Sequence, residues 1–448
     1  MFYGIKVESD DFQLSKKYLK LHIYNMKYSR RNFIKTSGLV IGTLPFASMA
    51  ETINQNKKIK VGLIGCGGRG TGALIQAMTA DPDVIVTALA DVFPEQLEQA
   101  LKLAQKKDAA RVDVPQNRQF LGFESYKKLI DSDVDVVLLC TPPNFRPDHM
   151  EYAVAKGKHI FCEKPVAVDI PGLKRVMESV HIAKEKKLNI VSGFCFRYLT
   201  PNREIMKRVQ AGDIGDVRSV TTFRCGGENT IRPRLPEYNE NQYQLRNWYY
   251  FQRYAGDLII EQTVHSLDYM NWIMNNRLPH AVFATGGRQT WKWDALGNGY
   301  DHFAVEYDYG DGVKGIHFGR QQSGSDSRNS VEVLGTKGNV EVNLTRSFKI
   351  HGEKPFEFNG NSNNMYQTQH DELIAAIRNK SVINDGDSMV NSTLLAIWGK
   401  VSAYTGKRIT LEQIMSSQEV LGPVSKDYSW EMPEDTLEIA RPGMKSFV

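Results

Sequence analysis

Residues 60–91 of the chain read KVGLIGCGGRGTGALIQAMTADPDVIVTALAD. The apolar run 61–64 leads into a glycine-rich turn and a helix-forming segment, and a second apolar run, 84–90, ends at Asp91. Strand, glycine-rich turn, helix, strand and acidic residue, in this order, are the pattern of a dinucleotide-binding unit. The stretch therefore predicts a βαβ unit with parallel strands.

The turn supplies most of the predicted cofactor contacts, which are Gly65, Cys66, Gly67, Gly68, Arg69 and Gly70. Gly65 permits the tight turn, Gly67 lets the backbone approach a pyrophosphate, and Gly70 lets the helix pack on the strand. The helix then presents unpaired N–H groups and the positive end of its dipole to the phosphates.

Asp91 discriminates between the two nicotinamide cofactors. A carboxylate at this position accepts hydrogen bonds from the ribose hydroxyls and repels a 2′-phosphate. The sequence therefore favours NAD over NADP. The alternative is that Asp91 only begins the turn before Pro94.

The charge of the chain is concentrated at its beginning. Residues 1–50 hold eight Lys/Arg and three Asp/Glu of totals of 56 and 51, which leaves 48 basic and 48 acidic residues beyond position 50. Because the remainder is neutral, a nucleic-acid partner has no electrostatic support. Five scattered cysteines, without a C-x-x-C pair, indicate neither a zinc site nor a disulfide framework.

The first 50 residues are predicted to be a leader. Residues 29–35, SRRNFIK, resemble a twin-arginine export signal, and a short apolar segment ends in Ser48-Met49-Ala50, a small-x-small cleavage pattern. This segment is too short to span a bilayer stably. The resemblance implies the twin-arginine translocation machinery as a partner, a periplasmic location and a true start at Met26. The alternative is a cytosolic basic N-terminus.

Strand-like and helix-like segments alternate between residues 58 and 195, and this alternation predicts a doubly wound (Rossmann) parallel sheet. Ligands bind at the carboxyl ends of such strands, where Thr141, Glu163 and Lys164 fall. Residues 196–448 show runs separated by Gly/Asp turns and later helices. They predict a substrate-binding α+β domain with a large, mostly antiparallel sheet.

Three stretches, 157–165 with Glu163-Lys164-Pro165, 193–198 and 256–268, complete a pattern that resembles the Gfo/Idh/MocA oxidoreductases over about residues 58–448. The resemblance implies hydride transfer between NAD or NADP and a carbinol of a sugar, polyol or sugar derivative. It also implies a homo-oligomer formed through the open face of the sheet.

Lys164 is the first predicted catalytic residue. The following proline favours an extended backbone at Lys164, and its ammonium could hydrogen-bond the substrate oxygen. The other predicted catalytic residues are Glu261 and His265, which one continuous helix would place one turn apart on one face. A carboxylate beside an imidazole raises its basicity, as a general base for alcohol oxidation requires. A metal held by Glu261, His265 and Asp268 is disfavoured because three ligands on one short helix face are cramped.

The remaining cofactor contacts are predicted at Thr141, Pro142, Asn144, Glu163 and Arg197, with Lys164 as a shared contact. The resemblance implies a cofactor-holding His about 17 residues before Glu163, where this chain has Arg146, while His149 is three residues late. Arg197 is equally compatible with packing between domains.

Three functions remain open at this point. The first is an exported oxidoreductase that retains its NAD, because the periplasm has no free NAD pool to recycle. The second is a redox-neutral glycoside hydrolase or lyase that oxidises a sugar carbon transiently, eliminates and returns the hydride. The third is an NAD-binding protein without catalysis. Residues 231–250, which include Arg232, Arg234, Trp248, Tyr249 and Tyr250, suit stacking on a sugar but equally suit a core or a subunit contact.

Overall fold

Six strands form a parallel sheet in the order β3-β2-β1-β4-β5-β6 in the computed structural model, which describes residues 57–291, 297–433, 438–444 and 446–447. These strands are β1 Ile59–Ile64, β2 Val84–Asp91, β3 Gln119–Leu121, β4 Val136–Leu139, β5 His159–Cys162 and β6 Ile190–Ser192. The helices between them are α1 Gly68–Ala80, α2 Pro94–Asp108, α3 Ser125–Asp131, α4 Arg146–Ala155 and α5 Ile170–Glu185. The predicted Rossmann sheet is confirmed.

A nine-stranded sheet follows in the order β14-β13-β12-β11-β7-β10-β9-β8-β15. Its strands are β7 Val217–Gly226, β8 Ala281–Gly287, β9 His302–Asp308, β10 Lys314–Gln321, β11 Arg328–Gly335, β12 Gly338–Asn343, β13 Ser347–Gly352, β14 Phe356–Glu357 and β15 Ile409–Thr410. Every pairing is antiparallel except that between β7 and β10. The predicted mostly antiparallel α+β half is therefore confirmed.

The helices of this second half are α6 Thr200–Gln210, α7 Glu240–Arg246, α8 Gln252–Ala255, α9 Leu258–Glu261, α10 Val264–Ile273, α11 Met365–Arg378, α12 Gly386–Thr405 and α13 Leu411–Ser416. α10 and α12 pack against one another, and α12 lies on β8. Tyr307 of β9 donates its hydroxyl proton to Leu395 O of α12 at 2.9 Å. Both helices are buried on nearly every side, and their polar residues bond each other, as when Ser392 Oγ donates to Asp268 Oδ1 at 2.8 Å.

Helix α11 returns to the first sheet. Leu373 and Ile374 of α11 belong to the same buried cluster as the residues of β1 and α1. Arg378 at its end donates to Asp81 at 2.8 and 2.9 Å, just after α1. One face of the Rossmann sheet is therefore completed by residues that lie almost 300 positions later in the chain.

The edge strand β3 has only three residues, which are too few to show a period in the sequence. The leader 1–50, including the twin-arginine pattern, lies outside the described residues. Within the described residues, no helix combines the length and apolar character needed to cross a bilayer.

Candidate active site

Two glycines of the turn after β1 are required by its geometry. Gly65 has φ +92°, and a Cβ there would lie 2.7 Å from the carbonyl carbon of Cys140 at the end of β4. A Cβ on Gly70 would lie 1.9 Å from Gly65 O. Any side chain at either position would push α1 away from the strands.

The other turn glycines leave space for a ligand. A Cβ on Gly67 would meet only Gln96 Oε1, at 3.9 Å, and one on Gly68 would meet nothing within 4 Å. Helix α1 begins at Gly68 without a side-chain cap, so its first N–H groups face this open space. This arrangement fits a pyrophosphate.

Asp91 lies at the end of β2, beside this turn. Its Oδ2 accepts a hydrogen bond from Cys66 N at 2.6 Å and its Oδ1 accepts one from Phe93 N at 2.9 Å. Each carboxylate oxygen keeps further lone-pair capacity. Asp91 also lines a cleft of about 780 Å³, solvent-open space included, together with Gly65, Gly67, Thr141 and Pro142. The predicted ribose acceptor therefore faces the same space as the phosphate turn.

Residues from the second half of the chain close the far wall of this cleft. We call residues 231–248 and 423–432 the cover. Arg232, Arg246 and Trp248 of the cover line the cleft. The guanidinium of Arg246 lies 3.6 Å from the centroid of Phe93, and it forms an ion pair with Glu95. Further on, Trp430 packs on Phe93 and Phe123 at ring-centroid distances of 5.4 and 4.8 Å.

Lys164 lies two residues after the end of β5 and points into the junction with the second half. Its Nζ donates to Glu261 O at 2.6 Å and to Glu261 Oε1 at 2.9 Å. Both side chains are 10% exposed. The Lys164–Pro165 peptide bond is cis. Two predicted catalytic residues that are 97 positions apart in the chain thus form one buried ion pair.

His265 lies near this pair but does not bond to Glu261, so the predicted carboxylate–imidazole pair is wrong. α9 ends at Glu261, and Thr263 N donates to Leu258 O at 3.1 Å, in a wider turn that separates the two residues. The cause is charge: a buried ammonium requires a counter-ion, and Lys164 takes the carboxylate. Within the described residues, the buried Nδ1 of His265 has no hydrogen-bond partner.

The surroundings of His265 keep its imidazole neutral. Phe194 and Phe196 pack on the ring at centroid distances of 6.1 and 5.3 Å. Burial, followed by the positive charges of Lys164 and Arg224, holds the pKa of His265 well below its ordinary value. A neutral imidazole is the form that accepts a proton.

Glu163 and Arg69 connect the glycine turn to the Lys164 strand end. Arg69 Nε donates to Glu163 Oε1 at 2.5 Å, and Glu163 Oε2 accepts from Lys164 N at 3.2 Å. A Cβ on Gly193 would lie 2.5 Å from the Glu163 carboxylate, so this glycine leaves the acid its place. Arg69 and Glu163, both predicted as cofactor contacts, therefore lie between the glycine turn and Lys164, and their side chains bond each other.

Two other predicted cofactor contacts are engaged elsewhere. Asn144 Nδ2 donates to Tyr428 Oη at 2.8 Å and to Pro423 O at 3.1 Å, which anchors the cover. Arg197 donates to the buried carboxylate of Asp268 at 2.9 and 3.0 Å. A buried carboxylate needs such a cation, so the packing reading of Arg197 is the one the structure supports. Because Asp268 bonds Arg197 and Glu261 bonds Lys164, the two acids and the imidazole weighed as metal ligands do not converge.

The loop after β4 places His149, and not Arg146, at the cleft. Arg146 is buried and its Nη2 donates to Thr141 O at 2.6 Å. His149 lines the cleft, and its Nδ1 lies 3.3 Å from Thr141 Oγ1. Arg146 therefore holds the loop while His149 stands beside Thr141 and Pro142.

Comparison with known proteins identifies the family of the chain. A family model described as oxidoreductase family, NAD-binding Rossmann fold, matches residues 59–194. A second, the GFO/IDH/MocA C-terminal domain, matches residues 202–341. The chain belongs to the Gfo/Idh/MocA oxidoreductase family. It is accordingly an oxidoreductase that depends on a nicotinamide dinucleotide.

Relatives in this family include inositol 2-dehydrogenase of Rhizobium meliloti (strain 1021), which is 26% identical over 294 residues, 65% of this chain and 78% of that protein. Among solved structures, aldose-aldose oxidoreductase from Caulobacter crescentus, complexed with glycerol, matches with a TM-score of 0.63 at 21% identity, covering 79% of this chain and all of that one. Scyllo-inositol dehydrogenase from Lactobacillus casei, with bound NAD(H) and scyllo-inositol, matches with a TM-score of 0.61 at 18% identity over 80% of this chain and all of that one. The two structures show the same fold.

Several site residues of this Gfo/Idh/MocA chain carry no local sequence signal. Thr222, Thr263 and His317 form a buried chain beneath α10, with contacts of 2.8 Å from His317 Nδ1 to Thr222 Oγ1 and from His317 Nε2 to Thr263 Oγ1. Arg224 lies two residues after Thr222 on β7. Strand pairing, and not spacing along the chain, brings these residues to the site.

Proposed function

We propose that the protein is an exported, NAD-dependent oxidoreductase that transfers hydride between a carbinol of a sugar or sugar derivative and a tightly held cofactor. The observation that carries the proposal is the Lys164–Glu261 pair beside His265 at one end of the cofactor groove. Along the carboxyl edge the strands run β2-β1-β4-β5, so Asp91 and Lys164 mark opposite ends of that groove. The named relatives, which include inositol dehydrogenases, support a polyhydroxylated substrate.

Lys164 and His265 have different roles toward the substrate: Lys164 donates a hydrogen bond, and His265 transfers a proton. The bound nicotinamide would accept or supply the hydride. The Lys164 ammonium, fixed by two bonds to Glu261, is placed to donate a hydrogen bond to the reacting oxygen. The neutral imidazole of His265 accepts the hydroxyl proton during oxidation and returns it during reduction. Glu261 lowers the net charge around Lys164 and fixes its direction, which makes it a positioning residue.

The cover supports the tightly held cofactor. Its residues lie on the side of the cleft where Asp91 would hold the ribose, and the ion pair Arg246–Glu95 ties it to α2. The twin-arginine pattern at residues 29–35 supports loading before export, because that route carries folded proteins. Asp91 supports NAD over NADP.

The first test is the identity of the retained molecule and the fate of its hydride. Purified protein, denatured and centrifuged, is expected to release close to one equivalent of NAD(H), measured by mass spectrometry; an empty protein, or NADP, would contradict the proposal. A panel of free sugars and aryl glycosides then separates the mechanisms. A ketosugar product supports the oxidoreductase, release of the aglycone without net NADH supports the redox-neutral hydrolase or lyase, and turnover of neither supports an NAD-binding protein.

The pH dependence of oxidation is a second prediction. The base form of His265 is present above its pKa and is lost as the pH falls through that pKa. Because burial and neighbouring cations hold this pKa well below 6.5, kcat/KM is expected to show no acid limb near pH 6.5 and to fall only at lower pH. A pH–rate profile with the sugar found in the panel measures this. An acid limb at or above pH 6.5 would contradict the assignment.

A homo-oligomer through the open face of the second sheet is part of the proposal. Phe283 of β8, Phe318 of β10 and Leu334 of β11 are 52, 39 and 57% exposed on that face. Apolar residues exposed in this way are typical of an interface between protein surfaces. Light scattering of the purified protein measures the number of subunits.

A further inference from the structure

Arg224 is a cation of the site that the proposed reaction leaves without a role. It pairs in the sheet with Gly319 of β10 on one side and with Asn329 of β11 on the other. Thr263 rests on Gly319, since a Cβ there would lie 2.9 Å from Thr263 Cγ2. Arg224 therefore lies beside Gly319, the residue against which Thr263 packs. Thr263 is the N-cap of α10, and His265 lies two positions after it.

The side chain of Arg224 is on the face of the sheet turned towards α10. Side chains alternate along a strand, so Arg224 shares a face with Thr222, two residues earlier. Thr222 bonds His317, which in turn bonds Thr263 below α10. The active-site helix and the Arg224 side chain thus lie on the same side of β7.

Tyr249 and Gln321 belong to the same wall. Tyr249 Oη donates to Gln321 Oε1 at 2.9 Å, and Gln321 lies two residues beyond Gly319 on the same face of β10. Burial raises the pKa of the Tyr249 phenol, the Glu261 carboxylate raises it further, and Arg224 opposes both. One phenol is therefore close to the charge of Arg224 and to that of Glu261.

Arg224 differs from the other cations of the site in its partners. Lys164 lies 2.9 Å from a Glu261 oxygen, and Arg69 lies 2.5 Å from a Glu163 oxygen. Arg224 Nη1 instead donates to the neutral Asn329 Oδ1 at 3.2 Å, and none of the carboxylates that the structure describes pairs with it. One positive charge on the half-buried wall is left without a counter-ion.

We propose that Arg224 binds an anionic group of the substrate, so that the enzyme acts on a sugar or polyol bearing a carboxylate or a phosphate. The planar guanidinium matches either group with two parallel hydrogen bonds. Such a ligand would supply the missing counter-ion, whereas a neutral sugar would leave the charge unpaired. This inference rests on the proposed function, because it specifies the substrate class of that same site.

The test uses matched pairs of neutral and acidic sugars with the cofactor-loaded protein: glucose against glucuronate and glucose 6-phosphate, and galactose against galacturonate. We expect kcat/KM for at least one acid to exceed that of its neutral partner by about ten- to a hundredfold, as for a hydrogen bond to a charged group. In Arg224→Met this ratio is expected to fall to about one, and Arg224→Lys is expected to restore part of it. The better of the carboxylate and phosphate arms identifies the anion.

Arg320→Met is the matched control. Arg320 is one strand away, pairs with Cys225 and therefore faces the other side of the sheet, where it donates to Asp326 O at 2.7 Å. The Arg320→Met variant loses one positive charge, as Arg224→Met does, but should keep the ratio of kcat/KM between acidic and neutral sugars. Equal rates for acids and neutral sugars in the wild type, or an unchanged ratio in Arg224→Met, would overturn the inference.

Binding separates this inference from the proposed reaction. If no sugar is turned over, the proposed function fails, and calorimetry with glucuronate, galacturonate and glucose 6-phosphate still decides the role of Arg224. Binding of one of these acids that weakens at least tenfold in Arg224→Met supports it. Absence of binding by all three, or equal binding to the variant, overturns it.

Discussion

Replacing Lys164 with Met is expected to lower kcat by about 10²–10⁴-fold while the cofactor stays bound. The ammonium is the only group of the Lys164–Glu261 pair that can donate to a substrate oxygen, and Met keeps the volume of the side chain without that donor. Asp91 and the glycine turn lie at the other end of the groove, so the content of NAD(H) should not change. Single-turnover rates and the cofactor released on denaturation measure the two quantities.

Loss of the ammonium also leaves the Glu261 carboxylate buried without a counter-ion. Breaking a buried pair in this way costs about 3–5 kcal/mol, which could lower activity through unfolding alone. The double variant Lys164→Met/Glu261→Gln removes both charges and should recover most of the free energy of unfolding. It should not recover turnover. Full activity in either variant would show that Lys164 has no part in the reaction.

Replacing Gly70 with Ala is expected to abolish cofactor retention. The added Cβ would lie 1.9 Å from Gly65 O, a backbone atom that has no room to move because Gly65 itself contacts the end of β4. Helix α1 must shift outward, which removes its N-terminus from the phosphates and costs about 1–3 kcal/mol of stability. The cofactor released per chain and the free energy of unfolding report the two effects.

Gly72→Ala, in the same helix, is the control for Gly70→Ala. A Cβ on Gly72 meets only Arg69 Nη1, at 3.7 Å, so it fits without displacement. Alanine in a helix interior is favoured over glycine by about 0.5–1 kcal/mol, and this variant should be equally stable or more stable, with its cofactor bound. If Gly72→Ala lost the cofactor as Gly70→Ala does, the close contact at Gly70 would not be the cause.

The cofactor half of the site could be predicted from sequence because its geometry is local. The cofactor turn depends on the close approach of Gly70 to Gly65 and of Gly65 to the end of β4. The glycines that permit this approach lie in one contiguous βαβ unit, and their spacing can be read from the sequence. Lys164 was predicted for a related reason: it ends a buried parallel strand, and such strand ends meet at one edge of the sheet.

The substrate half could not be predicted in the same way because its partners are chosen by charge and strand pairing. The spacing of Glu261 and His265 indicated a pair, but the ammonium of Lys164, distant in the chain, took the carboxylate. Arg197 likewise went to a buried acid. Arg224 entered the site through the register of β7 with β10 and β11, which no local pattern reveals.

The return of α11 to the Rossmann sheet has a consequence for how the protein is made. Leu373 and Ile374 cover apolar residues of β1 and α1, and Asp385, just before α12, accepts from Ser192 N at 2.9 Å at the end of β6. A ribosome that has released only the first 200 residues has therefore released a sheet with one face only partly covered, because α11 is missing from it. We expect the dinucleotide-binding half to be completed only after α11 has been synthesised, so a chain truncated before Met365 should expose apolar residues of β1 and α1.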